Sequence, residues 1–324
     1  MSSFRTVFPR VGKANSWFPL HMATGIRKIQ QILKEIDCII EVHDARIPIS
    51  GRSSSFYQQV INGKPHLLIL NKMDLIDMNF KNDIDKKLLG SCDRLLYTSA
   101  GKMKNENIEK IIPMVYEIID SKSKYNRADK CDVNILIAGV PNVGKSSLIN
   151  CLRSTLLGRP QVMAVAPHAG VTKTISTKLK IGLNPVTYIY DTPGILEPNL
   201  TTSPECAMRL AACGLVKDDS VGQQLIADYI LFWFNRRKLF HYANMIGLNQ
   251  PTDNIIEVLS KIAINQNFIF SSKDLHTRQF ITRLDTLEAA KHFIKMFREG
   301  TFGTYLLDDD LIYRSRRTGL AIAV

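Results

Sequence analysis

Residues 139–146 have the composition and spacing of a phosphate-binding loop. They read Gly-Val-Pro-Asn-Val-Gly-Lys-Ser, which matches the pattern G-x-x-x-x-G-K-S. Glycines let the backbone of such a loop pass close to phosphates, and successive amide N–H groups point at the anion. The Lys145 ammonium would reach the β- and γ-phosphates of a nucleotide, and the Ser146 hydroxyl would hold Mg²⁺.

The segments on both sides of this loop support the same interpretation. The apolar run of residues 134–138 predicts a buried strand, and residues 147–152 have the apolar spacing of a helix. A strand that leads through such a loop into a helix N-terminus is a phosphate-binding arrangement. We therefore expect nucleotide contacts from Gly139, Pro141, Asn142, Val143, Gly144, Lys145, Ser146 and Ser147.

A second motif, at residues 71–74, indicates which base is bound. The sequence Asn-Lys-Met-Asp follows the apolar run of residues 66–70, so it lies at the end of a predicted strand. The Asp74 carboxylate can accept hydrogen bonds from the ring N–H and the exocyclic amine of guanine, and adenine has no such pair of donors. Asn71 supplies an amide for the base and for joining loops, and the alkyl chain of Lys72 can cover the ring.

A companion loop for guanine follows the next predicted strand, at residues 94–97. It contains Thr98, Ser99 and Ala100, and the backbone N–H of Ala100 would meet the guanine carbonyl oxygen. Taken singly, the motifs at residues 71–74 and 98–100 are weak signals, because such short patterns occur on many surface turns. Together with the phosphate-binding loop, each at a strand end, they form a strong prediction of a guanine nucleotide site.

Two segments fit the contacts to Mg²⁺ and the γ-phosphate. Asp191 and Gly194 form a D-x-x-G pattern after the predicted strand at residues 186–190. Thr172 fits the threonine of the first switch that closes over Mg²⁺, and Thr174 competes for that role. We expect Mg²⁺ ligands from Ser146, Thr172 and Asp191, and catalytic roles for Lys145 and Thr172.

The composition of the 324-residue chain is that of a soluble globular protein with room for two domains. No run reaches the roughly 18 apolar residues of a membrane span. The six cysteines have no metal-ligand spacing, which favours reduced thiols. The net charge is +12, and the first 34 residues hold six basic side chains and no acidic one. This charge suits a polyanionic partner such as RNA, although a basic surface that serves only solubility is the alternative.

The order of the motifs is unusual, because the guanine-reading motifs precede the phosphate-binding loop. Residues 17–23 read Trp-Phe-Pro-Leu-His-Met-Ala and resemble the signature W-F-P-G-H-M-A of the RbgA/YlqF family of circularly permuted GTPases. Residues 44–46, Asp-Ala-Arg, are similar to a further motif of that family. Leu20 stands where the family usually has glycine. The resemblance covers most of residues 17–200, and we interpret Asp44 and Arg46 as a structural ion pair or loop cap.

The resemblance implies an α/β fold with a circularly permuted Ras-like P-loop G domain. Its motifs run in the order NKxD, TSA, P-loop, switch threonine and DxxG, and a C-terminal helical domain follows. We expect a basic leader at residues 1–16, with the composition of a mitochondrial targeting segment or of an ordinary terminus. The G domain with its histidine-bearing N-terminal segment would occupy residues 17–200. A helical, ribosome- or RNA-binding domain would occupy residues 201–324.

The family resemblance also suggests catalytic groups. Many GTPases place a water-orienting glutamine directly after the D-x-x-G pattern, and here that position is Ile195. Either the protein is a slow switch, or another group does this work. The resemblance offers His21, whose neutral imidazole could orient or activate water. It also implies a K⁺ ion at Asn142 that acts on the phosphates.

The resemblance implies GTP binding and hydrolysis, with Mg²⁺ and K⁺, in support of large-subunit assembly in the mitochondrial ribosome and so of mitochondrial translation. The implied partners are that subunit and its rRNA, which would stimulate hydrolysis. We expect a monomer in the mitochondrial matrix, without a membrane span but peripheral to the inner membrane. One alternative is a GTP-gated rRNA-binding scaffold with little hydrolysis. Another is a bacterial or nucleolar GTPase of large-subunit assembly.

Overall fold

The structure is a computed structural model of the 324-residue chain. It describes residues 4–9, 27, 29–52, 56–61, 63–101, 106–122, 132–158, 178–192, 205–273 and 280–317. The described residues form two compact units. We call the described residues within 18–206 and 304–317 the G unit, and those within 4–9 and 207–303 the helical unit.

A six-stranded sheet forms the centre of the G unit as described. Its strands are β1 (Cys38–Asp44), β2 (His66–Asn71), β3 (Arg94–Tyr97), β4 (Asp132–Ala138), β5 (Lys178–Leu183) and β6 (Val186–Asp191). In space they follow the order β3-β2-β1-β4-β6-β5. Every neighbouring pair is parallel except β5 with β6, which is antiparallel. The central strands β1 and β2 are buried at every position, as expected where both faces of a parallel sheet are covered.

The described helices are distributed over both units. They are α1 (Lys81–Leu88), α2 (Ile111–Lys122), α3 (Lys145–Leu157), α4 (Cys206–Ala212), α5 (Asp218–Val221), α6 (Gln223–Arg236), α7 (His241–Ile246), α8 (Ile255–Asn265), α9 (Thr286–Arg298) and α10 (Asp309–Arg317). Short 3₁₀ helices occur at Met73–Leu75, Met78–Phe80 and Ile108–Lys110, and a π-helix occurs at Tyr57–Ile61. The first 3₁₀ helix lies within the predicted guanine-reading loop.

Five parallel strands bring the predicted motifs to one edge of the sheet. Asp44 ends β1, Asn71 ends β2 and Asp191 ends β6. The strand register pairs Asp44 with Asn71 and Ile137 with Asp191. Because open α/β sheets bind ligands at the carboxyl ends of their strands, this edge is the expected position of a nucleotide site.

The helical unit has an aromatic core around α6. Phe234, which is fully buried, stacks on Tyr242 with ring centroids 5.7 Å apart. It also meets the edges of Phe297 and Phe302 at 5.8 and 5.5 Å. Residues 229–235 of α6 are all buried, so this helix supplies the centre of the core.

The helical unit also contains a two-stranded antiparallel hairpin that the sequence did not predict. Its strands are β7 (Ile269–Lys273) and β8 (Phe280–Leu284). Phe270 and Phe280 are both exposed, so neither strand has the clean alternation of buried and exposed residues that identifies a strand in a sequence.

Residues of the expected leader are part of the helical unit. The Arg5 guanidinium donates to the Asp228 carboxylate at 2.7 and 3.0 Å and to Asp253 at 2.9 Å. Phe8 is buried and packs against Tyr229, with ring centroids 5.2 Å apart. Residues 4–9 thus contribute to the packing of the helical unit, and a targeting role for residues 1–16 stays a prediction.

Residues that follow the helical unit return to the G unit. Leu306 and Ile312 pack in the same hydrophobic cluster as Ile76 and Tyr97. The backbone N–H of Tyr305 donates to the carbonyl of Leu75 at 3.0 Å. The sequence assigned residues 201–324 to one C-terminal domain, whereas the described residues from 304 onwards complete the G unit. The physical reason is their apolar side chains, which fill its core.

The cysteines and the apolar helices bear on two expectations that the composition gave. The five cysteines among them are free thiols, as the sequence indicated. Within the described part of the chain, no helix combines the length and the apolar character needed to cross a membrane.

Candidate nucleotide-binding site

The phosphate-binding loop connects β4 to α3, as its sequence predicted. A Cβ atom at Gly139 would overlap the carbonyl oxygen of Val42, so the loop passes closer to β1 than any other residue would permit. A Cβ atom at Gly144 would overlap the side-chain amide of Asn71, and Gly144 has a φ of +98°. Gly139 is therefore required by its close approach to the backbone, and Gly144 by its left-handed conformation, both usual reasons for glycine in such a loop.

Lys145 begins α3 and points into the loop. Its ammonium donates to the backbone carbonyls of Gly139 and Val140 at 3.0 and 2.9 Å. Burial lowers the pKa of Lys145 to about 8, against the opposing attraction of Asp191. The side chain is thus held at the predicted phosphate position. Ser146 and Ser147 follow in the first turn of the helix, where N–H groups favour anions.

Asp191 is a buried acid at this edge, with 2% of its surface exposed. Neither carboxylate oxygen has a hydrogen-bond partner of good geometry among the described residues. Burial raises its pKa to about 6, although Lys145 and the backbone amide of Thr192 act in the opposite direction. These two carboxylate oxygens lie at the edge of the sheet where β4 leads into the loop before Ser146. They fit a Mg²⁺ ion, which prefers oxygen ligands.

Asn71 joins three loops of the site. Its Nδ2 donates to the carbonyl of Val143 in the phosphate-binding loop at 2.8 Å. Its Oδ1 accepts from the Thr98 hydroxyl at 3.0 Å and from the Ala100 backbone N–H at 3.1 Å. The loops that would read guanine and bind phosphate are consequently fixed relative to each other, as the sequence predicted for Asn71.

Asp74 lies on the 3₁₀ helix after β2 and is exposed. Its Oδ1 accepts a hydrogen bond of 2.7 Å from the hydroxyl of Ser99, which belongs to the companion loop. The carboxylate is therefore oriented by one neighbour and remains accessible to a base. The sequence assigned Ser99 to the site but did not predict this contact with Asp74.

Asp44 and Arg46 form the buried ion pair that the sequence predicted, with Arg46 Nη2 2.7 Å from the Asp44 carboxylate. The structure adds Lys72, whose ammonium also binds Asp44 at 2.9 Å. The sequence pattern missed this contact, because it depends on the pairing of Asp44 with Asn71 between β1 and β2. The only signal in the sequence was that each motif follows a predicted strand.

Several predicted residues lie outside the part of the chain that the structure describes. They are His21, Thr172, Thr174, Gly194 and Ile195. The remaining predicted residues, from the guanine-reading, companion and phosphate-binding loops and the end of β6, lie together at the carboxyl edge of the sheet. Among the described residues, no group of three or more His, Cys, Asp or Glu side chains could hold a metal ion. A Mg²⁺ site here would thus depend on Asp191, on hydroxyls such as that of Ser146, and on the nucleotide.

Comparison with known proteins identifies the class of this site. Residues 134–270 match the family model described as 50S ribosome-binding GTPase. The match begins at the strand before the phosphate-binding loop, and the guanine-reading motifs precede it. Two solved structures of YlqF have the same fold. A GDP-bound one is 21% identical, with a TM-score of 0.54, and covers 86% of this chain and 98% of its own. A GNP-bound one from T. maritima is 22% identical, with a TM-score of 0.53, and covers 86% and 95%.

Similar sequences extend over nearly the whole chain. Mitochondrial GTPase 1 of Aedes aegypti is 43% identical over 314 residues, which cover 95% of this chain and 98% of that protein. Mitochondrial ribosome-associated GTPase 1 of Mus musculus is 40% identical over 314 residues, which cover 96% of this chain and 95% of that protein. The predicted fold and enzyme class are confirmed, and this chain belongs to the mitochondrial GTPase 1 family of circularly permuted GTPases.

Proposed function

We propose that the GTP site of this enzyme is built from the loops that Asn71 joins. Asp74 would read the guanine edge, with the Ala100 N–H at the guanine carbonyl oxygen. The phosphate-binding loop from Gly139 to Ser147 would hold the phosphates, with Lys145 at the β- and γ-phosphates. The observation that carries this proposal is the set of three hydrogen bonds that Asn71 makes, one donated to Val143 and two accepted from Thr98 and Ala100.

Mg²⁺ would be held by Ser146 and Asp191, with Thr172 and the D-x-x-G segment through Gly194. A bound Mg²⁺ supplies charge neutralisation at the β- and γ-phosphates. The orphaned oxygens of buried Asp191 support this assignment. For K⁺ we propose Asn142, which has a φ of +58° within the phosphate-binding loop and so lies at its turn.

Hydrolysis requires a group that orients water, and we propose His21 for that role. Ile195, at the position that follows the D-x-x-G pattern, has no hydrogen-bonding side chain. A neutral imidazole could orient or activate water if the segment that carries it reached the γ-phosphate. Catalytic roles of Lys145 and Thr172 would be to stabilise the charge of the transferred phosphoryl group.

The proposed biological role is assembly of the large mitochondrial ribosomal subunit, and hence support of mitochondrial translation. The relatives are named mitochondrial GTPases, and that of Mus musculus is named ribosome-associated. The net charge of +12 suits rRNA as the partner. The helical unit would provide the ribosome-binding part, in the mitochondrial matrix. A peripheral position at the inner membrane and a monomeric state stay predictions.

The first test is GTP hydrolysis in K⁺ buffer, with and without purified large mitochondrial subunits. We expect strong stimulation by the subunits, faster turnover in K⁺ than in Na⁺, and loss of the stimulated rate in His21→Ala with GTP binding retained. Tight GTP-dependent binding to the subunit without stimulated turnover would instead favour the scaffold with little hydrolysis. If the subunit neither binds the protein nor stimulates its turnover, the mitochondrial ribosomal partner is refuted. A bacterial or nucleolar role then remains.

A further inference from the structure

The carboxylate of Asp44, at the end of β1, is enclosed by two cationic side chains. Its Oδ1 accepts from the backbone N–H and the Nε of Arg46 at 3.1 and 2.9 Å. Its Oδ2 accepts from Arg46 Nη2 at 2.7 Å and from Lys72 Nζ at 2.9 Å. Asp44 has no exposed surface. Burial alone would raise the pKa of Asp44, but Arg46 and Lys72 hold it well below its usual range, so the group is ionised at neutral pH.

Lys72 occupies a position where its conformation decides the placement of Asp74. It has a φ of +62° and a ψ of +38°, a left-handed conformation that side-chain-bearing residues rarely adopt. Its carbonyl accepts from the N–H of Leu75 at 2.9 Å, which closes the short helix Met73–Leu75. Asp74 lies within that helix, so any change in the backbone of Lys72 would move the Asp74 carboxylate.

The anchor for Lys72 is rigid because it belongs to the sheet. Asp44 pairs with Asn71 in the register of β1 and β2, and the N–H of Ala45 donates to the carbonyl of Asn71 at 2.8 Å. A buried strand residue thus binds the side chain of a loop residue, an arrangement that restricts the rotamers of the loop side chain.

This restriction has a consequence for binding. A surface lysine usually keeps its ammonium in water and its alkyl chain mobile, whereas the side chain of Lys72 is 25% exposed and held at both ends. Ordering a flexible side chain on binding weakens affinity, and ordering it beforehand removes that cost. The alkyl chain of Lys72 is the part that could cover the guanine ring.

We propose that Asp44 is a positioning residue for guanine recognition, which acts by holding the Lys72 ammonium. Through this contact it orders the Lys72 alkyl chain and the Asp74 helix before the nucleotide binds. The inference rests on the proposed guanine loop of residues 71–74. Arg46 is the counterion that keeps Asp44 ionised in the protein interior, and Lys72 is the group through which Asp44 affects the base.

A double-mutant cycle on GDP affinity tests the inference. The variants are Asp44→Asn, Lys72→Met and the double variant, with the dissociation constant of a fluorescent GDP measured for each. Lys72→Met keeps an alkyl-like chain that cannot bind a carboxylate. We expect each single variant to bind GDP about tenfold more weakly, and the double variant to be no weaker than either single one. If Asp44 and Lys72 acted independently on GDP binding, their losses would instead add to about a hundredfold.

Three further variants make the outcome unambiguous. Asp93→Asn is the matched control, because Asp93 also binds a lysine, Lys122, at 2.7 Å, but does so beside the opposite end of β2. We expect its GDP affinity to stay at the wild-type value. Asp44→Glu keeps the charge beside Arg46 if Asp44→Asn does not fold, and it should bind GDP as weakly as Lys72→Met. Asp74→Ala tests the guanine loop itself and should lose guanine affinity.

The results distinguish a failure of the inference about Asp44 from a failure of the proposed guanine loop. If Asp74→Ala keeps wild-type GDP affinity, both the guanine loop and the role of Asp44 are overturned. If Asp74→Ala loses affinity but the Asp44 variants keep it, only the role of Asp44 is overturned. Losses that add in the double variant would likewise contradict an action through Lys72.

Discussion

The side-chain amide of Asn71 donates a 2.8 Å hydrogen bond to the carbonyl of Val143, although 72 residues separate them in the chain. Asn71 ends β2, and Val143 lies in the phosphate-binding loop that follows β4. The contact explains how a permuted order of motifs still builds one site. Parallel strands bring the loops to the same edge, and one asparagine then fixes their separation, whichever loop comes first in the chain.

Replacement of Asn71 by alanine should therefore damage the whole site. It would remove the hydrogen bond to Val143 and leave the buried Thr98 hydroxyl and the Ala100 N–H without their acceptor. Unsatisfied groups of this kind cost about 1–3 kcal/mol, so we expect GDP to bind at least about tenfold more weakly. Fluorescent GDP titration would measure the loss. Asn134→Ala, whose amide donates to the carbonyl of Glu35 instead, is the control. Unchanged affinity in Asn71→Ala would refute the proposed role of Asn71.

Asp191 should make Mg²⁺-dependent nucleotide binding sensitive to pH. Burial raises its pKa to about 6, so the carboxylate gains a proton as the pH falls through that value. A protonated Asp191 is a poor Mg²⁺ ligand. We expect the Mg²⁺-dependent part of GDP affinity to fall between pH 7.5 and pH 5.5, measured by titration with Mg²⁺ and with EDTA. In Asp191→Asn the Mg²⁺-dependent part should be small at both pH values, and an unchanged pH response there would argue against this carboxylate.

The raised pKa of Asp191 also makes the stability of the nucleotide-free protein depend on pH, and this stability falls as the pH rises. A raised carboxyl pKa means that the folded state binds a proton that the unfolded state has lost, so this contribution to stability falls as pH rises from about 4 to about 6. Above pH 6 the buried charge destabilises the fold. Asp191→Asn should then be about 1 kcal/mol more stable at pH 7.5 without nucleotide. Thermal unfolding should show Asp191→Asn to be more stable than the wild type without nucleotide. With GDP and Mg²⁺ added, it should show a smaller stabilisation of Asp191→Asn than of the wild type.

The parts of the site that could be predicted from the sequence are those with local signals. The phosphate-binding loop combines glycines that no other residue can replace, such as Gly139 and Gly144, with an apolar strand and a helix start. The ion pair of Asp44 and Arg46 could be predicted because the two residues are close together in the sequence. The part played by Lys72 could not be predicted, because it depends on which strands are neighbours and in which register.

The contacts of the first and last described residues could not be predicted from the sequence for a related reason. Arg5 binds Asp228, 223 residues away, and Asp308 binds Ser50, 258 residues away. Periodicity and composition report on neighbours within a window of about 18 residues, so they contain no information on such pairs. The basic composition of residues 1–16, which predicts a leader, and the helical spacing near the end, which predicts a helical domain, therefore gave no indication of these contacts.

Arg5 should contribute to the stability of the helical unit. Its guanidinium binds Asp228 and Asp253 and lies 5.9 Å from the ring centroids of Phe8 and Phe232. Because the side chain is 29% exposed, solvent weakens these ion pairs, and we expect Arg5→Ala to destabilise the unit by about 1 kcal/mol. Chemical denaturation would measure the change. Lys291→Ala, which removes an exposed ion pair with Glu288, should leave the midpoint unchanged, and equal effects of both variants would contradict the importance of Arg5.

Asp308 should stabilise the G unit although it lies outside all the nucleotide motifs. Its buried carboxylate accepts from the backbone N–H groups of Ile49 and Ser50 at 2.8 and 2.7 Å, and from the Ser50 hydroxyl at 2.6 Å. Asp308→Ala would leave three donors unpaired near the end of β1, which we expect to cost about 3 kcal/mol of unfolding free energy.

The loop that contains Ser50 also begins at Asp44, so the loss of Asp308 should reach the nucleotide site. We expect Asp308→Ala to bind GDP more weakly because this loop loses its anchor, and excess GDP to recover part of the unfolding midpoint by mass action. Asp120→Ala, which removes an exposed carboxylate of α2 in the same unit, is the control for stability. A midpoint equal to that of the wild type in Asp308→Ala would contradict the contribution of these hydrogen bonds to the stability of the G unit.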